Sequence, residues 1–289
     1  MSEYPDDLRQ LVEDYLDGLR FSQAGATAGL EEAMRYSLLA GGKRIRPVLT
    51  LATTRAIGRD PAEALPAAAA VELVHTYSLI HDDLPAMDDD ELRRGRPTAH
   101  VAYGEDVAIL AGDGLFAEAI RLISERQDGD PARVVAALRA LAGATGVEGM
   151  VGGQYIDVTE HEFDADALRR LHELKTGRLI AASVEVALIL GGANDSETIG
   201  YRRFAGELGV LFQIVDDILD VTGSDEELGK PQGSDERHGK VTYVSLFGLD
   251  RARDLAAHSH RKTREALAEA DGDTGDLELI TDFIHTRQS

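Results

Sequence analysis

Several residue types are absent or scarce, and each absence narrows what the chain can do. The 289 residues include no cysteine and no tryptophan, and aromatic residues make up only 5%. Without cysteine there is no disulfide and no thiolate metal ligand, which agrees with a reducing compartment, and we expect the cytoplasm. No stretch reaches the roughly 20 apolar residues that cross a bilayer, so we expect no membrane span. The acidic start lacks the features of a secretory signal.

Positive charge is also scarce, because 30 lysines and arginines face 52 aspartates and glutamates, for a net charge of -22. This balance argues against binding nucleic acid through a general basic surface. A solvated acidic surface is one interpretation, and a salt-adapted source is another. The chain uses only five lysines, of which the first four lie near glycines in short polar motifs and are interpreted as compact ammonium donors. They are Lys43, Lys175, Lys230, Lys240 and Lys262.

Apolar residues recur at helical spacing along most of the chain, and no long stretch alternates as a strand would. Glycine, proline and asparagine clusters separate the periodic stretches, and Asp-Pro pairs at 60–61 and 130–131 are typical of helix starts. We therefore predict one all-α domain over 1–289 with about ten helices and ligands in the bundle interior. The predicted helices are Asp6–Leu19, Leu30–Leu39, Pro47–Ile57, Pro66–Leu84, Asp106–Arg126, Pro131–Leu141, Ala165–Leu190, Asp195–Val221 and Arg251–Ala270.

Two aspartate clusters each end a long apolar stretch, where carboxylates are not expected. They are Asp82, Asp83 and Asp88, and Asp216, Asp217 and Asp220. At about 4 Å and an effective dielectric near 20, each like-charge pair costs on the order of 4 kcal/mol. Cations must offset that repulsion, and carboxylate oxygens suit Mg²⁺, which is commonly shared with phosphates. The clusters therefore predict two metal-binding faces and an anionic substrate.

The second cluster follows helical spacing. Gln213, Asp216, Asp217 and Asp220 lie at relative positions 0, 3, 4 and 7, which places all four on one helix face. A polar solvent face of an ordinary amphipathic helix would give the same spacing, so both interpretations stand.

The first cluster is irregular, because Asp82 and Asp88 are six residues apart and a straight helix would not align them. Pro85 is expected to end or kink the helix and to bring Asp88 back toward Asp82. Downstream, Arg93 and Arg94 either neutralise the neighbouring acidic residues or hold phosphate oxygens through forked donors.

Gly41-Gly42-Lys43-Arg44-Ile45-Arg46-Pro47 places three cations beside two glycines, just before a predicted helix. Such a segment favours the binding of an anion, although a surface turn with incidental charges is an alternative interpretation. The glycine-rich segments match neither the P-loop nor the dinucleotide-binding fingerprint, and no serine or cysteine nucleophile arrangement is evident. Together the motifs suit one diphosphate ionised by metal beside a second held by cations.

These motifs resemble one family, the trans-prenyltransferases or isoprenyl diphosphate synthases, in their residues and in their order. The resemblance runs from about Leu30 to Thr242 and is closest to the bacterial farnesyl diphosphate synthases. The segments that carry it are GGKRIRP (41–47), HTYSLIHDDLPAMDDDELRRGRPT (75–98), GGQYID (152–157), KTG (175–177), FQIVDDILD (212–220), GKPQGSD (229–235) and GKVTY (239–243).

The resemblance implies an all-α isoprenoid synthase fold around a deep central cavity, normally as a homodimer. It implies Mg²⁺ bound by Asp82, Asp83, Asp88, Asp216 and Asp220. It further implies that an allylic diphosphate is held by Arg93, Lys175, Lys230 and Lys240, and isopentenyl diphosphate by Lys43, Arg46, His75 and Arg94. Thr176 and Gln213 would line the cationic centre formed when diphosphate leaves.

Product length is expected to depend on Tyr77, five residues before Asp82, with the small Ser78 beside it. An aromatic ring at this position resembles the farnesyl synthases, in which it blocks the growing tail. A helical wheel places Tyr77 about 140° from Asp82, so helical periodicity alone does not show that the Tyr77 ring faces the cavity. A tyrosine that packs in the core is the alternative interpretation. We expect a C15 product, with C20 as the alternative.

Other functions fit the motifs less well. A terpene cyclase would share the fold and the first aspartate motif, but it has no need of an isopentenyl diphosphate site. Non-catalytic regulatory subunits typically lose one aspartate motif, and both are present here. A calcium-binding helical protein of the EF-hand type would require a ligand pattern that the sequence lacks.

Overall fold

The computed structural model describes residues 4–22, 25–160, 162–223 and 239–287. These residues form helices with short connections. The helices are α1 (Asp6–Gly18), α2 (Ala28–Leu38), α3 (Ile45–Ala56), α4 (Leu65–Asp82), α5 (Ala99–Tyr103), α6 (Glu105–Arg126), α7 (Pro131–Thr145), α8 (Met150–Thr159), α9 (Ala165–His172), α10 (Arg178–Gly191), α11 (Asp195–Thr222), α12 (Tyr243–Phe247), α13 (Leu249–Ala268) and α14 (Gly275–Thr286). Short 3₁₀ turns cover Gly25–Thr27 and Pro61–Ala64.

The all-α prediction is confirmed, and several predicted helix starts have the expected caps. Asp130 accepts a hydrogen bond from the Ala132 amide at 2.8 Å, with Pro131 in the first turn of α7. Asn194 caps α11 through a reciprocal arrangement with Glu197. These side chains satisfy amide groups that have no partner within the helix, so they fix where α7 and α11 begin.

Helix α4 lies at the centre of the bundle. Its residues from Ala67 to Val74 are all buried, and α4 packs against α1, α2, α3, α6 and α10. Helix α11 packs along α13 on one side and against α10 on the other. Since α4 ends at Asp82 and α11 carries Gln213 to Asp220, this packing brings the two aspartate motifs to the same end of the bundle.

The predicted helix Ala165–Leu190 is interrupted. A five-residue π-helical turn, Glu173–Gly177, separates α9 from α10. The structure also has helices that the sequence analysis did not predict: α5, α8, α12 and α14. Helix α8 was missed because its MVGGQYIDVT sequence contains two glycines, which are typical of breaks rather than of helices.

A small hairpin follows the first aspartate motif. Strand β1 (Leu92–Arg93) pairs antiparallel with β2 (Arg96–Pro97). Arg94 and Gly95 form the two-residue turn and both have positive φ, at 54° and 71°. This is the turn geometry whose twist matches a two-stranded hairpin. The hairpin holds consecutive arginines beside the end of α4.

By length and composition, Pro131–Thr159 passes as a candidate membrane span within the described residues. It consists of the 15-residue α7 and the 10-residue α8, separated at 146–149. Each helix is shorter than the roughly 20 residues that a spanning helix needs, so this stretch does not establish a membrane span.

Candidate active site

A cavity of about 670 Å³ opens where α4, α8, α9 and α11 approach one another. Most of the side chains that the sequence analysis singled out line it. They are Arg46, His75, Tyr77, Ser78, Asp82, Asp88, Arg93, Arg94, Lys175, Thr176, Gln213, Asp216, Asp217, Asp220 and Lys240. The structure therefore brings the two aspartate motifs and the separate lysine and arginine motifs to one space.

The first aspartate motif folds back on itself, as Pro85 suggested. Helix α4 ends at Asp82, and the Asp88 amide donates to the Asp82 carbonyl oxygen at 2.9 Å. Burial, opposed by Lys175 and reinforced by Asp88, raises the pKa of Asp82 to about 6. Lys240 lies 2.8 Å from an Asp88 carboxylate oxygen. The two carboxylates thus share a crowded site that needs cations.

Asp83 points to a different partner. It is buried, and both of its carboxylate oxygens accept hydrogen bonds from Arg93, whose Nη2 lies 2.6 Å from Oδ1 and whose Nε lies 2.9 Å from Oδ2. Burial raises the pKa of Asp83, and the Arg93 hydrogen bonds oppose that rise. This forked pairing holds the guanidinium of Arg93 at the cavity wall. A metal-ligand role for Asp83 stays a prediction.

A second group of cations lies at another part of the cavity, where Arg46 and Arg94 form no ion pair within 4 Å among the described residues and Glu72 acts on both at longer range. Arg46 is buried, and its Nη1 donates to His75 Nε2 at 3.2 Å. Burial lowers the pKa of Arg46 to about 10, and its Nε has no hydrogen-bond partner among the described residues. Arg94 donates to the carbonyl oxygen of Gly41, which joins the hairpin to the glycine-rich loop.

His75 is neutral in this environment. Burial lowers its pKa well below its usual range, and the neighbouring Arg46 and Arg94 lower it further. A neutral imidazole can accept the hydrogen bond from Arg46 and still donate from its other nitrogen. The group is therefore a positively charged pocket built to receive an anion, with its histidine uncharged.

The π-helical turn presents Lys175 and Thr176 to the cavity. Lys175 lies 2.6 Å from a carboxylate oxygen of Asp157 on α8. The turn can approach α8 this closely because residue 153 is glycine: a Cβ there would lie 2.3 Å from the Lys175 backbone nitrogen. Turns of this kind often occur at functional sites, where they re-aim side chains that a regular helix would point elsewhere.

A hydrogen-bond chain crosses from this turn to the second aspartate motif. The Thr176 hydroxyl donates to Gln213 Oε1 at 3.2 Å, and Gln213 Nε2 donates to Asp217 Oδ1 at 2.7 Å. The other oxygen of Asp217 accepts from the backbone amide of Tyr243 at 2.7 Å. Asp217 is buried, so it orients Gln213 and anchors the start of α12.

The adjacent Asp216 points to the cavity mouth. Its carboxylate lies 2.9 Å from Nη2 of Arg287, which follows α14. The Arg287 guanidinium also lies over the Phe212 ring, 4.4 Å from its centroid. Such stacking is favourable for arginine and orients the ion pair. Asp220, one turn further along α11, is buried and lines the same cavity.

The carboxylates that line the cavity fit a metal held jointly with a substrate. Among the described residues, no three histidine or carboxylate side chains converge into a protein-only metal centre. Mg²⁺ seldom uses such a cage, because it keeps water ligands and is usually bound through one or two carboxylates plus substrate phosphates. The raised pKa of Asp82 shows that its negative charge is unfavourable in this environment, and a divalent cation would stabilise that charge.

The remaining predicted residues lie elsewhere. Lys43 is exposed, and its Nζ lies 5.3 Å from the centroid of the Phe283 ring rather than on the cavity wall. Lys230 lies outside the described residues. Tyr77 and Ser78 both line the cavity, so the structure gives Tyr77 the direction that periodicity did not.

The sequence patterns gave no role to three residues of the site: Gln154, Asp157 and Arg287. The amide atoms of Gln154 are buried at the cavity and have no hydrogen-bond partner among the described residues. Gln154 and Asp157 both belong to the GGQYID motif. A prediction of α8 would have placed them three residues apart on one helix. No sequence signal marked Arg287.

Comparison with known proteins gives concordant results. The polyprenyl synthetase family profile matches residues 27–282. A farnesyl diphosphate synthase of Geobacillus stearothermophilus is 43% identical over 291 residues, covering 99% of this chain and 98% of the relative. Large subunit 1 of the chloroplastic heterodimeric geranylgeranyl pyrophosphate synthase of Arabidopsis thaliana is 46% identical over 269 residues, covering 90% of this chain and 72% of the relative.

Solved structures agree with the sequence comparisons. An FPP/GFPP synthase from Zymomonas mobilis superposes with a TM-score of 0.85 at 36% identity, covering 97% of each chain. A geranyltransferase from Helicobacter pylori, complexed with magnesium and isoprenyl diphosphate, gives a TM-score of 0.85 at 33% identity, covering 96% of this chain and 92% of that one.

The half-buried imidazole of His172 predicts a pH dependence of stability. Burial lowers the pKa of His172 to about 4, and its ring packs against Tyr243 with centroids 5.4 Å apart. An unfolded histidine titrates near about 6.5, so between that pH and about 4 the unfolded chain binds more protons and stability falls as pH falls. The loss assigned to this residue is on the order of 3 kcal/mol and is complete below pH about 4.

Replacement of His172 by glutamine is expected to remove that component. Urea unfolding of the wild type and His172→Gln at pH 7.5 and 4.5 measures it, and the wild type should lose more stability between the two values. Equal losses in the two proteins would contradict the assignment.

Proposed function

Because the chain belongs to the polyprenyl synthetase family, we propose that it condenses isopentenyl diphosphate with allylic diphosphates and that its main product is farnesyl diphosphate. The family assignment makes the chain a prenyltransferase, and its relatives support a short-chain trans-prenyl diphosphate synthase. The observation that carries the proposal is the pair of unlike anion sites in one cavity. One interleaves carboxylates with cations, and the other consists of cations around a neutral histidine.

The mixed site suits the allylic diphosphate. Arg93, Lys175 and Lys240 stand beside carboxylates at 2.6 to 2.8 Å, so each cation is available to a diphosphate that replaces or bridges its partner. We assign Mg²⁺ to Asp82, Asp88 and Asp216, with Asp220 nearby, and bound Mg²⁺ would supply Lewis-acid stabilisation of the departing diphosphate. The cationic site of Arg46, Arg94 and His75 suits isopentenyl diphosphate, which must keep its own diphosphate.

The reaction that fits is ionisation, condensation and elimination. The allylic C–O bond breaks, and its electron pair leaves with diphosphate. The isopentenyl double bond then forms the new C–C bond, and a proton leaves to the departing diphosphate as the product double bond forms. Thr176 and Gln213 are assigned to the cationic centre, because their hydrogen-bonded side chains line the cavity and present oxygen atoms without a net charge.

The C15 product is supported by the position of the Tyr77 ring, which lines the cavity one and a half helical turns before Asp82. The ring would stop a growing tail, whereas Ser78 beside it is too small to do so. Geranylgeranyl diphosphate is the alternative, since the relatives carry both farnesyl and geranylgeranyl names.

A turnover assay tests the reaction. Purified protein with Mg²⁺, dimethylallyl diphosphate and isopentenyl diphosphate is expected to give mainly farnesyl diphosphate, measured by chromatography of the dephosphorylated products. Asp82→Ala and Asp216→Ala should each reduce kcat by 10² or more, because they remove carboxylates assigned to the metal. Circular dichroism checks that the variants fold. Failure of the wild type to consume isopentenyl diphosphate would refute the synthase assignment.

The product-length assignment is tested by Tyr77→Ala. Removal of the ring opens the cavity, so the variant should release C20 or longer products under the same conditions. Ser78→Ala is the matched control, because it changes the neighbouring position by a single hydroxyl and should keep the wild-type product. An unchanged product distribution in Tyr77→Ala would exclude the ring as the barrier.

A homodimer is also proposed, and an exposed apolar face on α6 supports it. Ile109, Leu110 and Ile120 are 43%, 55% and 43% exposed, although large apolar side chains are usually buried. Light scattering is expected to give twice the chain mass of 31.2 kDa. Leu110→Asp should shift the protein toward monomer, whereas Arg253→Asp on the exposed face of α13 should not. A monomeric wild type would contradict the proposal.

A further inference from the structure

The Tyr77 ring does not stand alone at the cavity wall. It contacts two other rings, each in an edge-to-face arrangement. The His81 ring centroid lies 5.5 Å away with an interplanar angle of 83°, and the Phe116 centroid lies 5.4 Å away with an angle of 65°. These distances and angles are in the range in which aromatic pairs attract one another beyond simple area burial. The three rings span α4 and α6.

The histidine on one side is fixed by α6. His81 Nε2 donates to the carbonyl oxygen of Ile109 at 3.1 Å. Its imidazole occupies the space above Gly112, where a Cβ would lie 2.2 Å from His81 Nε2. Because glycine leaves that space open, the ring can pack closely against α6 and reach the carbonyl group. His81 is thereby held in contact with Tyr77.

The phenylalanine on the other side has a different position. Phe116 is half-buried on α6 and packs against the core, but it is not among the residues that line the cavity, whereas Tyr77 and His81 are. Phe116 therefore contacts the Tyr77 ring from outside the cavity lining. A single tyrosine on a helix could swing between rotamers, since an exposed ring has more than one staggered well. Because Tyr77 contacts both of these rings, a change of its rotamer must break at least one of the two contacts.

We propose that Phe116 and His81 clamp the Tyr77 ring and so determine product length, with Phe116 acting as a positioning residue that never touches the substrate. The proposal rests on the proposed function, because it needs Tyr77 to be the barrier. It adds that the barrier is the rigidity of the ring, not its presence alone. A chain that retains tyrosine at 77 but lacks the ring at 116 should let the growing tail pass.

A double-mutant cycle on the full-length protein tests this inference. Product distributions are measured for the wild type, Phe116→Ala, Tyr77→Ala and the double variant. Phe116→Ala should shift products toward C20 by several-fold in the C20 to C15 ratio although Tyr77 is intact. The double variant should match Tyr77→Ala, since removing the support of an absent ring changes nothing. Additive lengthening in the double variant would overturn the inference, because Phe116 would then be a barrier in its own right.

The controls separate this inference from the proposed function and from misfolding. Phe116→Tyr keeps an aromatic ring at that position and should keep the wild-type product, whereas Phe116→Leu keeps most of the volume without the ring and should lengthen the product partially. Gly112→Ala, which displaces His81, should also raise the C20 to C15 ratio. If Tyr77→Ala lengthens the product and both Phe116→Ala and Phe116→Leu leave it unchanged, the clamp is refuted while the barrier role of Tyr77 stands. If no protein consumes isopentenyl diphosphate, the proposed function itself has failed.

Discussion

Repulsion among carboxylates in a half-buried cavity is the constraint on which this structure depends. Asp82, Asp88 and Asp157 lie where water is limited, and at an effective dielectric near 20 each close pair costs on the order of 4 kcal/mol. Lys240 lies 2.8 Å from Asp88 and 3.6 Å from Asp157, and Lys175 lies 2.6 Å from Asp157. The lysines therefore hold the carboxylates together, and we propose that a metal and a diphosphate take their place during the reaction.

The same reasoning explains why the two anion sites differ. On the side of Arg46 and Arg94, neither arginine forms an ion pair within 4 Å among the described residues, although Glu72 acts on both at longer range, and the pKa of His75 is lowered well below its usual range. A diphosphate that arrives there compensates the cations directly. On the side of the aspartates, an anion requires additional positive charge before it can bind. Under the proposed function, this difference separates the diphosphate that leaves from the one that stays.

The sequence patterns predicted which residues belong to the site better than they predicted where the side chains of those residues point. The return of Asp88 toward Asp82 followed from Pro85, because a proline forces a local change in the chain whatever surrounds it. Helical spacing placed Asp216 and Asp217 on one face, yet the first meets Arg287 at the cavity mouth and the second is buried against Gln213. The side chains of adjacent residues on a helix point about 100° apart, and only the tertiary packing decides which of the two faces inward. The π-helical turn and Arg287 were not predictable, because both depend on contacts between helices distant in sequence.

We propose that the lysine and arginine side chains hold the carboxylates of the two aspartate motifs in place until metal and diphosphate replace these cations. A crystal structure of the protein with Mn²⁺ and a non-reactive allylic diphosphate analogue, located by anomalous scattering, tests this claim most directly. The account predicts metal ions on Asp82, Asp88 and Asp216, with the Lys240–Asp88 and Arg287–Asp216 pairs opened and lysine nitrogens on diphosphate oxygens. An analogue bound with both pairs intact and no metal at these carboxylates would contradict it.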